Sequence, residues 1–99
     1  MYETISQYLE YLELEKGLAQ NTIDAYRSDL YAFAEESVLE DVDRFYIGSY
    51  IRRLKENKYA PTSIARKIAS LRGFFKWVSA MNILEKNPTS VLEPPKIPQ

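Results

Sequence analysis

The chain has no cysteine and no histidine among its 99 residues. Without cysteine there is no disulfide framework and no thiolate metal site, which fits a reducing compartment. Without histidine, acid–base catalysis near neutral pH would fall to a tuned carboxylate or lysine. The acids fall on polar faces, so none is expected to be buried. Spacings such as Glu10 with Glu13, or Asp24 with Asp29, read as solvated surface rather than metal ligands. Only three glycines occur, scattered singly, so no loop cradles a phosphate. No apolar run approaches the roughly 18 residues of a membrane span, and there is no signal peptide or lipidation motif. The expectation is a cytoplasmic protein with no membrane partner and no cofactor. Eight tyrosines are present, but a phenol nucleophile needs cations and an acid–base partner beside it, and no such cluster is visible. Tyr8, Tyr26 and Tyr50 read instead as core residues with wet hydroxyls. The chain alone is not expected to be an enzyme.

Apolar residues make up 45% and charged residues 27%, the balance of a folded domain rather than a disordered tail. A chain of this length buries roughly 60–65% of its unfolded surface, enough to fold without staples. Net charge is only −1, but its distribution is uneven. Met1 to Asp43 holds eleven acids against two bases, a balance of −9. Arg44 to Gln99 holds eleven bases against three acids, a balance of +8. One acidic and one basic surface follow, either to meet an acidic partner or simply to pack the two halves together.

Four helices and almost no strand signal are expected. The first runs from Glu3 to Lys16 with Ile5, Tyr8, Leu9 and Leu12 inward, and Gly17 ends it. The second runs from Asn21 to Glu36 with Ile23, Tyr26, Leu30, Phe33 and Ala34 inward, and Asn21 with Asp24 resembles a capping box. The third runs from Asp43 to Asn57 with Ile47, Tyr50, Ile51 and Leu54 inward, capped by Asp41 or Asp43. The fourth, Thr62 to Met81, has the clearest pattern. Ile64, Ile68, Leu71, Phe75 and Val78 form its stripe, Arg66, Lys67, Arg72 and Lys76 surround it, and Pro61-Thr62 opens it. Phe45 lies off the stripe of the third helix. Phe74, Trp77 and Met81 form a second strip on the fourth, either covering a short terminal helix or contacting another subunit. Asn87-Pro88 starts that further short turn of helix, and Pro94-Pro95-Lys96-Ile97-Pro98 reads as a linker. The expected organisation is a helical domain over 1–86 and a linker over 87–99.

Gly17 to Phe33 (GLAQNTIDAYRSDLYAF) and Ala60 to Val78 (APTSIARKIASLRGFFKWV), with Asn87-Pro88 and the Pro-Pro-Lys tail, resemble the N-terminal core-binding domain of tyrosine recombinases. This is the phage integrase and Xer-like family, and its domain is called SAM-like. The resemblance covers nearly the whole chain and implies an all-α bundle of four or five helices. It implies half of a clamp around duplex DNA, joined through a proline-containing linker to a catalytic domain and touching neighbouring recombinase subunits. The family's catalytic residues lie in that second domain, so the chain would be a fragment cut at the linker or a naturally short homologue.

By the same resemblance the starts of the second and fourth helices face DNA. Asn21, Thr22, Tyr26 and Arg27 match on the second, and Thr62, Ser63, Arg66 and Arg72 on the fourth. Lys58 and Lys67 bracket the latter start, where free amides and the positive dipole end suit a phosphate. Arg66 is the best candidate for a base contact, because its fork can hold guanine bidentately. Arg72 borders the apolar stripe and alternatively pairs with an acid. Arg66 and Lys67 read as outward, so replacing both with alanine should weaken binding and leave the melting temperature nearly unchanged. The rival readings are a helical protein–protein module and a DNA-binding regulator outside the recombinases.

Overall fold

Each of the four periodic segments folds as an α-helix in the computed structural model, which describes residues 1–90 and 92. α1 spans Tyr2–Leu14, α2 Gln20–Ala34, α3 Arg44–Glu56 and α4 Pro61–Ala80. A 3-10 turn at Leu39–Asp41, which the periodicity did not signal, joins α2 to α3. The described residues contain no strand. The fold is therefore the all-α bundle expected from the pattern, with ends displaced by no more than two residues.

Local chemistry explains most of the ends. α1 stops where Gly17 takes φ +63° and the Leu18 amide donates back to the Leu12 carbonyl at 3.2 Å. A residue without Cβ occupies that left-handed region at little cost. α3 begins at Asp43, whose Oδ1 accepts from the Tyr46 amide at 2.8 Å. The Tyr46 hydroxyl then donates to the Glu36 carbonyl at 2.8 Å, tying the start of α3 to the end of α2. α2 and α4 depart from expectation. Their N-cap positions are Ala19 and Ala60, and neither helix has a side-chain cap. Asn21 and Thr62 fall inside the first turn because both helices begin before them, and Pro61 takes the N1 position, where a missing N–H removes no helical bond.

The expected stripes supply the core. Ile5, Tyr8, Leu9 and Leu12 of α1 are buried against Ile23, Leu30, Phe33 and Ala34 of α2. Ile47, Tyr50 and Leu54 of α3 and Leu71, Phe74, Phe75 and Val78 of α4 complete it. Ile51, Ile64, Ile68 and Tyr26 are only half-buried at its margin. Phe33 is the hub, edge-on to Tyr50 at 4.9 Å, Tyr46 at 5.8 Å and Phe75 at 5.9 Å between ring centroids. Such contacts place the positive ring edge against a negative face.

Most of the second apolar strip of α4 is used inside the bundle rather than over a terminal helix. Phe74 and Trp77 pack on Tyr8, each at 5.6 Å, so they face α1. Met81 stays exposed, as does Phe45. After α4 the chain makes hydrogen-bonded turns; Ser90 donates to the Asn87 carbonyl, and Pro88 and Thr89 are buried. The proline run read as a linker lies outside the described residues. Among the described residues no helix is long and apolar enough to cross a membrane.

Gly73 of α4 faces Tyr8 of α1, and a Cβ there would sit 2.5 Å from the Tyr8 hydroxyl oxygen. In an open helix, glycine to alanine gains about 1 kcal/mol, whereas overpacking costs about 1–3 kcal/mol. Gly73→Ala should therefore lower stability in urea unfolding. In a Tyr8→Phe background the same substitution should become neutral or stabilising.

Candidate nucleic-acid interface

Where the second half of α2 crosses the first half of α4, a carboxylate is buried. Asp29 is 3% exposed. It follows Tyr26 by three residues and precedes Phe33 by four, so it falls at the edge of the inward face of α2. This corrects the expectation that no acid is buried. Arg66 grips it side-on, Nε donating to Oδ2 and Nη2 to Oδ1, both at 2.9 Å. Lys67 Nζ donates to Oδ1 at 3.1 Å. The Ser70 hydroxyl lies 3.1 Å from Oδ2 and 3.0 Å from the Arg66 carbonyl, sharing its one hydrogen between them. Burial alone would raise the Asp29 pKa. The hydrogen bonds from Arg66 and Lys67, with their charges, outweigh burial and hold it below the ordinary 3.8.

Two cations and one carboxylate leave this cluster a net positive charge. The Lys67 side chain is only 12% exposed, and its ammonium also lies 5.2 Å from the centre of the Tyr59 ring. It is therefore an inward, structural cation rather than the outward one expected. The Arg66 side chain is 47% exposed. A guanidinium has five N–H donors and Asp29 accepts from two, so the outer Nη1–Nη2 edge still faces solvent with a free fork. Removing both cations would strand a buried carboxylate. Against the expectation of a nearly unchanged melting temperature, Arg66→Ala with Lys67→Ala should therefore lower it.

The other candidates divide by charge. At the start of α2, Asn21 is exposed and Thr22 and Tyr26 are half-buried. Arg27 there is paired with Asp24 at 2.7 Å, so this start holds little free positive charge. Around the start of α4, Lys58 and Thr62 are exposed and Ser63 is half-buried. Lys58 adopts φ 60°, a left-handed conformation that strains a lysine. Arg72 is half-buried and has no carboxylate partner among the described residues, against the alternative that it pairs with an acid. Arg52 and Lys55, which the motifs did not single out, are also exposed and place cations on α3 just before this corner. The basic surface thus follows the end of α3 and the length of α4 more than the start of α2.

The described residues contain no group of three or more metal-binding side chains. Burial pushes Tyr8 and Tyr50 up to about 12, away from the phenolate a nucleophile would need.

Residues 5–82 match the phage integrase N-terminal SAM-like domain. The chain belongs to this family. It is 36% identical to tyrosine recombinase XerC of Herpetosiphon aurantiacus, over 98% of this chain and 34% of that protein. It is 34% identical to tyrosine recombinase XerD of Xanthomonas campestris pv. campestris, over 98% of this chain and 32% of that protein. A tyrosine recombinase of Agathobacter rectalis is 38% identical over 90% of this chain and 30% of its own length. The chain thus spans about a third of these recombinases. No solved structure gave a significant match.

Asp29→Asn keeps the shape of the side chain and removes its charge, leaving Arg66 and Lys67 uncompensated. Urea unfolding at pH 7 should show a loss of about 2–4 kcal/mol. A native pKa below the unfolded one stabilises above the unfolded value and is lost as pH falls through the native value. The deficit of the variant should therefore be full at neutral pH and shrink below about pH 3.8.

Proposed function

We propose that this chain is the part of a tyrosine recombinase that grips duplex DNA and positions a separate catalytic domain for strand cleavage and exchange. Support comes first from its place among the integrase N-terminal domains. The observation that carries the reading is Arg66: its inner edge is fixed on Asp29 and its outer edge is open. A side chain held this way meets a phosphate or a guanine with its rotamer already chosen, so less entropy is lost on contact. Thr62 and Ser63 lie in the first turn of α4, which has no side-chain cap, so its amides are open to an anion. Asn21 and Thr22 supply the same chemistry on α2.

In this reading Lys58, Arg72 and the α4 start bind phosphates, and Arg66 reads a base edge. Arg27 and Tyr26 support the α2 start, and Lys67 holds Arg66 in place through Asp29. The acidic α1, with Glu3, Glu10 and Glu13 exposed and Glu15 just past its end, faces away from the duplex. The partners are double-stranded DNA, the catalytic domain of the parent chain and neighbouring recombinase subunits.

Fluorescence anisotropy with a short duplex at several salt concentrations tests this directly. About five phosphate contacts give a log–log slope near −4 to −5. Lys58→Gly should lower the slope by about 1 while raising stability by about 1 kcal/mol, because glycine relieves the left-handed strain. Absence of salt-dependent duplex binding at low ionic strength would favour a protein–protein module instead.

A further inference from the structure

Midway along α4 the outer face opens into a cleft of about 280 Å³, closed on its far side by the turn at Asn87–Ser90. Its lining includes two cations, Arg72 and Lys76, one helical turn apart, and no carboxylate among the described residues. Neither cation has an ion-pair partner among the described residues. Ala69 and Gly73 form the helical floor, with the Tyr8 hydroxyl standing beside Gly73 on the α1 side.

The opposite wall is tied down by burial and hydrogen bonds and carries donors. Pro88 and Thr89 are buried, which anchors the turn. Asn87 Oδ1 accepts from the Thr89 amide at 2.8 Å and from the Thr89 hydroxyl at 2.7 Å. With its oxygen spent, Asn87 offers its Nδ2 amide hydrogens, and the exposed Ser90 adds a hydroxyl. A guanidinium, an ammonium, an amide and a hydroxyl therefore line one small space. The volume falls below the roughly 300–1,000 Å³ usual for drug-sized ligands, so a single small anionic group suits it better than a cofactor.

Thr62, Arg66, Ala69, Gly73 and Lys76 follow one another at steps of four, three, four and three, a single line along α4. The cleft and the outer edge of Arg66 thus share one face. Ten residues separate Arg66 from Lys76, about 15 Å along the axis. That length is comparable with the roughly 12 Å width of the DNA major groove.

We infer that this cleft takes one backbone phosphate of the same duplex, a second anchor distinct from the start of α4. The inference rests on the duplex-binding reading above. Arg72 and Lys76 neutralise the phosphate, and Asn87 and Ser90 hydrogen-bond its free oxygens. Such contacts set register without reading sequence.

The test compares Arg72→Gln with Lys76→Gln, made together, against Lys58→Gln and the parent chain. Duplex affinity is read over a salt series, and amide shifts are read by NMR during titration with inorganic phosphate. The double variant should lower the salt slope by about 1, equally for unrelated duplex sequences, with the melting temperature unchanged. An unchanged slope and affinity in the double variant, with Lys58→Gln still weakening binding, would reject the cleft and leave the duplex reading intact. Inorganic phosphate shifting the Ser90 amide while the double variant binds duplex normally would mean a free-anion site, and would also reject the assignment. If the parent binds no duplex, both readings fail together.

Discussion

The Asp29 carboxylate joins α2 to α4 through two cations and a hydroxyl, and the placement of the polar surface depends on it. Nine residues separate Asp29 from the start of α2, and five separate Arg66 from the start of α4. At about 1.5 Å per residue, these starts lie roughly 14 Å and 8 Å along their axes from the crossing. A fixed crossing therefore fixes both. Apolar packing alone would hold α2 and α4 together, since Phe33 meets Phe75 across the same interface. Packing is nevertheless tolerant of small sliding and rotation, whereas a side-on guanidinium–carboxylate pair specifies one register. Buried ion pairs contribute little net stability for their desolvation cost, and their gain lies in specificity of arrangement.

The near-zero net charge conceals a separation that the fold preserves. Acids crowd α1 and the connection after α2, and cations crowd α3 and α4. Some of this separation is used internally: Glu36 pairs with Arg53 at 3.1 Å, and Asp29 takes Arg66 and Lys67. These pairs remove charge from the polar surface and at the same time stiffen it. The cations with no ion-pair partner among the described residues include Arg52 and Lys55 on the last turns of α3, Lys58 in the connection after it, and Arg72 and Lys76 along α4. Long-range attraction for a polyanion would come from these residues, and fine positioning from the paired ones.

The helices were legible because their apolar residues recur at unbroken 3.6-residue spacing, and the four buried residues of α1 are the four expected. Gly17 and Asp43 were readable because each acts within its own turn. The 3-10 turn at Leu39–Asp41 is too short to carry a period. The caps of α2 and α4 were misplaced because alanine at N-cap leaves no chemical mark, so the nearest polar residues, Asn21 and Thr62, attracted the assignment. Asp29 carried a signal that was available. It falls at the edge of the stripe between Tyr26 and Phe33, and an acid there requires a partner. Which cations answer it was not readable, since Arg66 and Lys67 lie 37 and 38 residues away and only the crossing of α2 over α4 brings them near. The cleft at Arg72 and Lys76 was hidden for the same reason, its other wall being a turn that looked like the start of a helix.

A double-mutant cycle on Asp29→Asn and Arg66→Gln, read by urea unfolding, probes the joint between α2 and α4 most directly. A bidentate pair at a buried carboxylate predicts a coupling free energy of about 1–3 kcal/mol, with most of the loss already present in Asp29→Asn alone. Losses that simply add, within about 0.5 kcal/mol, would mean that the two side chains do not hold each other, and that apolar packing alone orients α4.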